Sequence, residues 1–440
     1  MAICWRSLRH GVYAVLLLLP TYLIRFSLLN IPFTLLEGMI LLLFIIWIVK
    51  VAINKEMDFS FTHWFKKING TTPINLIPTV LRWPLVFFLL TATLMALISP
   101  ALIGAAGVWK AYFLEPVIFL LVFAYVIRDK KHLQTVINIL ATLSIVIFIA
   151  ALVQKLTGFG ISNPMWLDPE NRRVTTFFGY PNANGLLLAP IATLLFAGLW
   201  FKENWLALTL KIVGFVGCLL TIWWAGSEGA LVALGVGVLL IMLAQKRTRI
   251  AATALVLIGI MLLIINPALR QSLTEKLTLS DFSGQIRQAQ WTETISLLQA
   301  NPWRGGGLAN YQVAIAPYHQ AGINIDGRWQ PVEIYLYPHN WLLNFWTELG
   351  LIGLLAFIWL LVATGLLLHR IYVRRKTLHH HEGEFIYALT VGLTAFFVTV
   401  MIHGLVDVPY FKNDLSLLFI TAIAMAAAVY NLVAIKYINQ

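Results

Sequence analysis

Apolar stretches of about 20 residues recur from one end of this chain to the other, as in "GVYAVLLLLPTYLI" near the N-terminus. Each is long enough to cross the hydrocarbon core of a bilayer as a helix. A chain built this way has few choices, because backbone polar groups in lipid must be satisfied within helices or a closed barrel. Barrel strands alternate in polarity, whereas these runs are continuously apolar, so the barrel is excluded. Only 11% of residues are charged and 60% are hydrophobic, with a mean hydropathy of +0.81. A soluble domain carries about 25% charged residues. The expected fold class is therefore an all-α polytopic membrane protein, a single membrane domain over residues 1–440.

The runs predict about twelve transmembrane helices, at 11–30, 33–53, 84–100, 110–127, 133–154, 182–200, 205–224, 229–245, 250–266, 339–368, 385–405 and 414–435. With both termini cytoplasmic, 19 of the 31 Lys and Arg residues face inward, 11 face outward and Lys211 lies within a span. That bias follows the positive-inside rule, especially as the outer positions concentrate in one long loop where charge says little. Arg6 and Arg9 before the first run resemble a signal peptide, but no small-residue cleavage site follows, and the run reads as the first span. Cys4 and Cys218 do not make a disulfide framework. The net charge of +12 is placed on inner loops facing anionic membrane lipids, so no nucleic acid is needed to explain it. "KEMDFSFTHWFKK" (55–67) reads as an amphipathic segment on the inner surface, and "HHHEGE" (379–384) as a solvated loop beside the membrane.

Two expected outer loops are too rich to be turns: a smaller one at 155–181 and a large one at 267–338 that should contain short helices. Within the second, Arg287, Trp291, Ile295 and Leu298 recur at helical spacing until Asn301-Pro302 and the glycines 305–307 stop the helix. An arginine on such a face either snorkels to headgroups or offers a fork to a phosphate. "YPHNWLLNFWTELGLIG" (337–353) then enters a span, with Pro338 suited to a first helical turn. Gly350 and Gly353 should admit a neighbouring helix, while Asn340, Asn344 and Glu348 form a polar stripe. At a helix N-terminus His339 is expected to be neutral and able to accept a proton, though alone it also reads as a simple interfacial cap. No P-loop, H-E-x-x-H, G-x-S-x-G or D-x-D is present, so neither a cofactor nor a metal is expected.

Together these residues resemble the O-antigen ligase and polymerase superfamily of bacterial inner-membrane glycosyltransferases, of the GT-C type. His339 and Asn340, nine further residues, then Gly350 and Gly353 fit its signature. "RQAQWTETISLLQANPWRGGGLANYQ" (287–312), "RVTTFFGYPNANG" (173–185) and "HGLVDVPYF" (403–411) resemble further family segments, so the likeness covers roughly residues 160–430. One departure stands out: where the family often has Ser-Arg-Gly, this chain has Glu228, in "AGSEGALVALG". Glu228 is then expected either to contact sugar hydroxyls or to pair with a nearby arginine.

The resemblance implies metal-independent, inverting transfer at the periplasmic face of the inner membrane. The donor would be a glycan on undecaprenyl pyrophosphate, and the acceptor a lipid-linked sugar. His339 would be catalytic, with Arg287, Arg173, Asn340 and Glu228 binding substrate. Span count and loop position favour a ligase acting on lipid A core. A polymerase, or a protein O-oligosaccharyltransferase, would use the same donor. A transporter is the alternative from another class, but its ionisable groups should sit at midplane rather than at outer helix ends.

Overall fold

The computed structural model describes residues 5–28, 31–54, 76–325, 328–375 and 380–438. The expected amphipathic segment 55–67 and the start of the 379–384 run lie outside them. The described chain is mostly helical, with two small hairpins and no larger sheet.

It opens with α1 (Leu8–Leu17), a 3-10 turn at Pro20, and a hairpin of β1 (Arg25–Leu28) and β2 (Ile31–Thr34) in which Arg25 pairs with Thr34. Then come α2 (Leu35–Asn54), α3 (Thr79–Leu97) and α4 (Leu102–Trp109), which runs through a π turn at Lys110–Leu114 into α5 (Glu115–Val126). Next are α6 (Lys130–Thr157), α7 (Asn182–Gly198), α8 (Trp205–Trp224), α9 (Glu228–Ala244) and α10 (Arg249–Ile265). Three helices follow, α11 (Pro267–Leu277), α12 (Phe282–Ala300) and α13 (Tyr311–Ile315), and then a hairpin of β3 (Gly322–Ile325) and β4 (Arg328–Pro331). The chain closes with α14 (Trp341–Arg374), α15 (His380–His403) and α16 (Asn413–Ile438).

Among the described residues, eight helical segments are long and apolar enough to cross a membrane, nine if the bent segment from α10 onward is counted. They coincide with nine of the twelve expected spans. The other three correspond to α1, α7 and α9, which are helices of 10, 17 and 17 residues. Local chemistry shortens α1, because Pro20 forces the chain out of the α-helix into a 3-10 turn. For α7 the reason is its place in the packing. It is buried along nearly its whole length, against α8, α9 and α15, so its neighbours rather than lipid set its extent.

The expected outer loops are ordered. At the first, α6 ends on Gly158, whose left-handed φ of 74° lets its N–H close onto the Gln154 carbonyl. The Gln154 side chain brackets the next segment, its Oε1 accepting from Thr175 N (2.9 Å) and Thr176 N (2.7 Å) while Nε2 donates to Thr176 O (3.0 Å). In the second, α12 spans 282–300, capped by Asp281 onto Gly284 N at 3.2 Å and stopped at Asn301, as the helical spacing predicts. Its buried face differs from the expected one. Gln290, Thr294, Leu297 and Leu298 turn inward while Ile295 is 45% exposed, because polar Gln290 and Thr294 find partners inside and draw the seam around to them.

The signature glycines also act differently from expectation. Gly350 adopts φ 68°, ψ 178°, outside the helical region, so α14 is two helical stretches joined at a kink there. Backbone, not a neighbouring helix, approaches it: a Cβ at Gly350 would collide with the Trp303 carbonyl oxygen. The "PWRGGG" turn docks into this kink, with Gly306 N and Gly307 N donating to Thr347 O (2.8 and 3.1 Å) and Trp346 Nε1 to Pro302 O (2.7 Å). The Thr347 carbonyl at the break thereby recovers donors, and the loop after α12 is fixed against α14.

Candidate functional site

The two loop segments meet at one end of the bundle, around His339. α14 begins at Trp341, with Asn340 as its N-cap, so Pro338 lies before the helix and not in its first turn. The Asn340 Oδ1 accepts from Leu342 N (3.0 Å) and Leu343 N (3.2 Å), and its Nδ2 donates to Leu405 O (3.1 Å). Asn340, expected among the substrate contacts, thus caps the helix and ties the histidine segment to the 403–411 loop, with its second Nδ2 N–H still available to a ligand. Trp341 N adds a bond to Gly404 O at 2.8 Å.

His339 itself has φ 48°, in the left-handed region. Few residues other than glycine adopt it without cost, and a local strain of about 1–3 kcal/mol persists only where the surroundings over-determine it. Here they do. The Pro338 carbonyl accepts from the Trp291 indole at 2.8 Å, and the imidazole lies between Tyr335 and Tyr337, with ring centroids 5.3 and 4.8 Å away. Its Nδ1 is 3.2 Å from the Gln290 Oε1. An amide oxygen only accepts, so this geometry puts the proton on Nδ1 and leaves the lone pair on Nε2. Burial lowers the His339 pKa below the ordinary value; the Asp407 carboxylate opposes the shift and the Arg287 guanidinium adds to it. The imidazole is therefore neutral near pH 7, as expected, with burial and a nearby cation as the causes.

Arg287 and His339 are thus brought together. Arg287 is half-buried one turn before Gln290 on α12, and among the described residues no hydrogen bond or ion pair engages its guanidinium. Arg173 is also half-buried but is already committed. Its Nε donates to Ala225 O at 2.9 Å and its Nη2 to Asn182 Oδ1 and Gly226 O, both at 3.3 Å. It holds the turn that starts α9, where Gly226 takes φ 63°. Two residues on, Glu228 forms an ion pair with Lys276 of α11, while its charge also reaches Arg173. An arginine partner or a sugar contact was expected of Glu228; its ion-pair partner here is a lysine. Gly229 in turn packs beside Val406 and His403, which links the Arg173 side to the loop that holds Asn340.

Tyr337, two residues before the histidine, helps line a cleft of about 790 Å³ together with Tyr180, Lys412, Asn344 and Glu348. Tyr180 and Tyr337 bring their hydroxyls to 3.4 Å, and Lys412 Nζ donates to the Tyr180 oxygen. Burial lowers the Lys412 pKa, against the opposing charges of Asp414 and Asp407. Glu348 Oε2 accepts from Ala309 N at 2.6 Å, and buried Asn344 has an Oδ1 without a partner among the described residues. The polar stripe expected on this helix thus leads from the histidine into the cleft.

Gln290, Asp407, Tyr180, Tyr337 and Lys412 were not singled out from the sequence. Asp407 and His403 lie in the recognised "HGLVDVPYF", which was a usable signal. Gln290, Tyr180 and Tyr337 likewise lie in the segments 287–312, 173–185 and 337–353 quoted above, without being picked out there.

Comparison with known families adds one finding. Residues 213–358 match the family model described as O-Antigen ligase, a segment that includes Glu228, Arg287, His339, Asn340 and both signature glycines. That match bears out the resemblance to the ligase and polymerase superfamily. No curated protein matches the chain.

Proposed function

We propose, from that match as premise, that the chain is an O-antigen ligase in the bacterial inner membrane. It would move a glycan from undecaprenyl pyrophosphate to a sugar hydroxyl of lipid A core at the periplasmic face. The observation that carries the reading is the neutral, oriented imidazole of His339 beside the unengaged Arg287 guanidinium, both within the matched segment. In this mechanism the acceptor O–H gives its proton to His339 Nε2 as its oxygen attacks the anomeric carbon. The bond from that carbon to the pyrophosphate oxygen breaks in the same displacement, so the configuration inverts. Negative charge grows on the departing pyrophosphate, where Arg287 stabilises it as a preorganised electrostatic donor. Arg173, held to backbone carbonyls, serves as a second fixed positive charge. The cleft with its tyrosines, Asn344 and Glu348 gives the acceptor sugar hydrogen-bonding groups.

Reconstitution in vesicles with defined donor and both acceptors, followed by mass spectrometry of the products, tests this. Glycan attached to lipid A core is the expected result. Chain extension on undecaprenyl pyrophosphate alone would make the protein a polymerase, and no transfer to any acceptor would end the glycosyltransferase reading. EDTA is expected to leave the transfer rate unchanged, because among the described residues no group of three or more His, Cys, Asp and Glu is placed to hold a metal ion. Loss on chelation with recovery on adding one divalent ion would overturn this mechanism.

A further inference from the structure

α11 has no buried residue, yet it is not uniformly polar. Leu269, Leu273 and Leu277 are 44%, 38% and 75% exposed. At 3.6 residues per turn they fall within about 80° of arc. Arg270 and Lys276 flank this stripe, each about 60° from its centre, while Glu275 lies about 160° away. Lys276 is held by Glu228, which leaves Arg270 as the long basic side chain at the edge of the stripe that can reach a headgroup phosphate while the leucines enter the acyl boundary, with the Glu275 carboxylate at the opposite pole. The helix is also in the right place for such a surface. α10, directly before it, is apolar and exposed along almost its whole length, and a single residue, Asn266, separates the two. There the chain bends, so that Pro267–Ala300 runs at 103° to Arg249–Ile265. With α10 across the bilayer, the segment that follows emerges nearly parallel to the membrane plane.

We propose that α11 is a membrane-docking helix, seated in the headgroup layer of the bilayer that α10 crosses, with its leucine stripe against the acyl chains. Lipid is the occupant because the stripe continues the lipid-facing surface of α10 and is bordered by charge complementary to phosphate. Docking also reaches the candidate site. Lys276 pairs with Glu228 at the start of α9, and α12, with Arg287 and Gln290, begins five residues after α11 ends. The seated helix therefore sets the level at which α12 starts.

Nitroxide labels on single cysteines in the full-length protein test this, with Cys4 replaced by serine and the buried Cys218 left in place. Leu273→Cys and Gln271→Cys variants are reconstituted in phosphatidylethanolamine vesicles containing phosphatidylglycerol. The Leu273 label is expected to collide several-fold more with oxygen, and several-fold less with a water-soluble nickel chelate, than the Gln271 label, at a depth of about 5–10 Å. Equal nickel accessibility at the two positions would overturn the proposal. So would dipolar broadening between labels at Leu273, since a second copy of the chain would then cover the stripe.

Discussion

Replacing His339 by alanine is expected to reduce glycan transfer about 10²–10⁴-fold, the usual share of a general base or acid. The substitution also removes a ring held between two tyrosines and places alanine at φ 48°, so lost activity alone does not separate chemistry from folding. His339→Asn resolves this, because asparagine tolerates the left-handed region better than most residues yet cannot take up a proton near pH 7. It should match the parent in thermal stability and still lose transfer. His339→Gln retains a hydrogen-bonding group, and partial activity there would point to orientation of the acceptor rather than proton abstraction. Transfer within threefold of the parent in the alanine variant, at every pH and with saturating donor, would remove His339 from the mechanism.

The neutral imidazole also predicts the shape of the pH profile. Burial and the Arg287 charge lower its pKa, so the base stays unprotonated through neutral pH and activity falls only on the acid side, below the ordinary histidine range. Gln290 should act through tautomer and orientation: its amide oxygen keeps the proton on Nδ1.

The parts of this molecule legible in the sequence are those governed by local pattern. Apolar run length located α6, α8 and α16, and helical spacing closed by Asn-Pro located α12 and its C-terminal end. Composition could not say that α7 is short and central, because only its neighbours show that it lies away from lipid. Gly350 was noticed for its spacing, but its left-handed kink answers to the Trp303 carbonyl, 47 residues away in sequence. The same holds for the site. His339, Arg287 and Arg173 were found as residue types in a recognisable setting. The partners that hold them in place come from far along the chain: Gln290 to His339, Ala225 to Arg173, and Lys276 to Glu228. Asn340 was noticed beside the histidine, but its capping role, two bonds to helix N–H groups and one to Leu405, shows only in the fold.

Arg287→Ala is expected to cost about 2–4 kcal/mol of transition-state stabilisation, or about 30- to 900-fold in turnover, as for removal of one preorganised electrostatic donor. The guanidinium has no partner among the described residues whose loss would disturb the fold, so the variant should keep the parent's thermal stability. Arg287→Lys retains the charge without the planar fork and should be impaired as well. A second readout separates an electrostatic role from a structural one. The Arg287 cation disfavours protonation of His339, so removing it raises the imidazole pKa. The acid limb of the pH–rate profile should therefore move to higher pH in Arg287→Ala and stay close to the parent's in Arg287→Lys. Asp407→Asn removes a charge that favours the protonated form and should move the limb the other way. Full turnover in a folded Arg287→Ala protein would refute the pyrophosphate assignment. An unshifted acid limb would show that Arg287 and His339 do not share a field, and the histidine would then need another source for its neutrality.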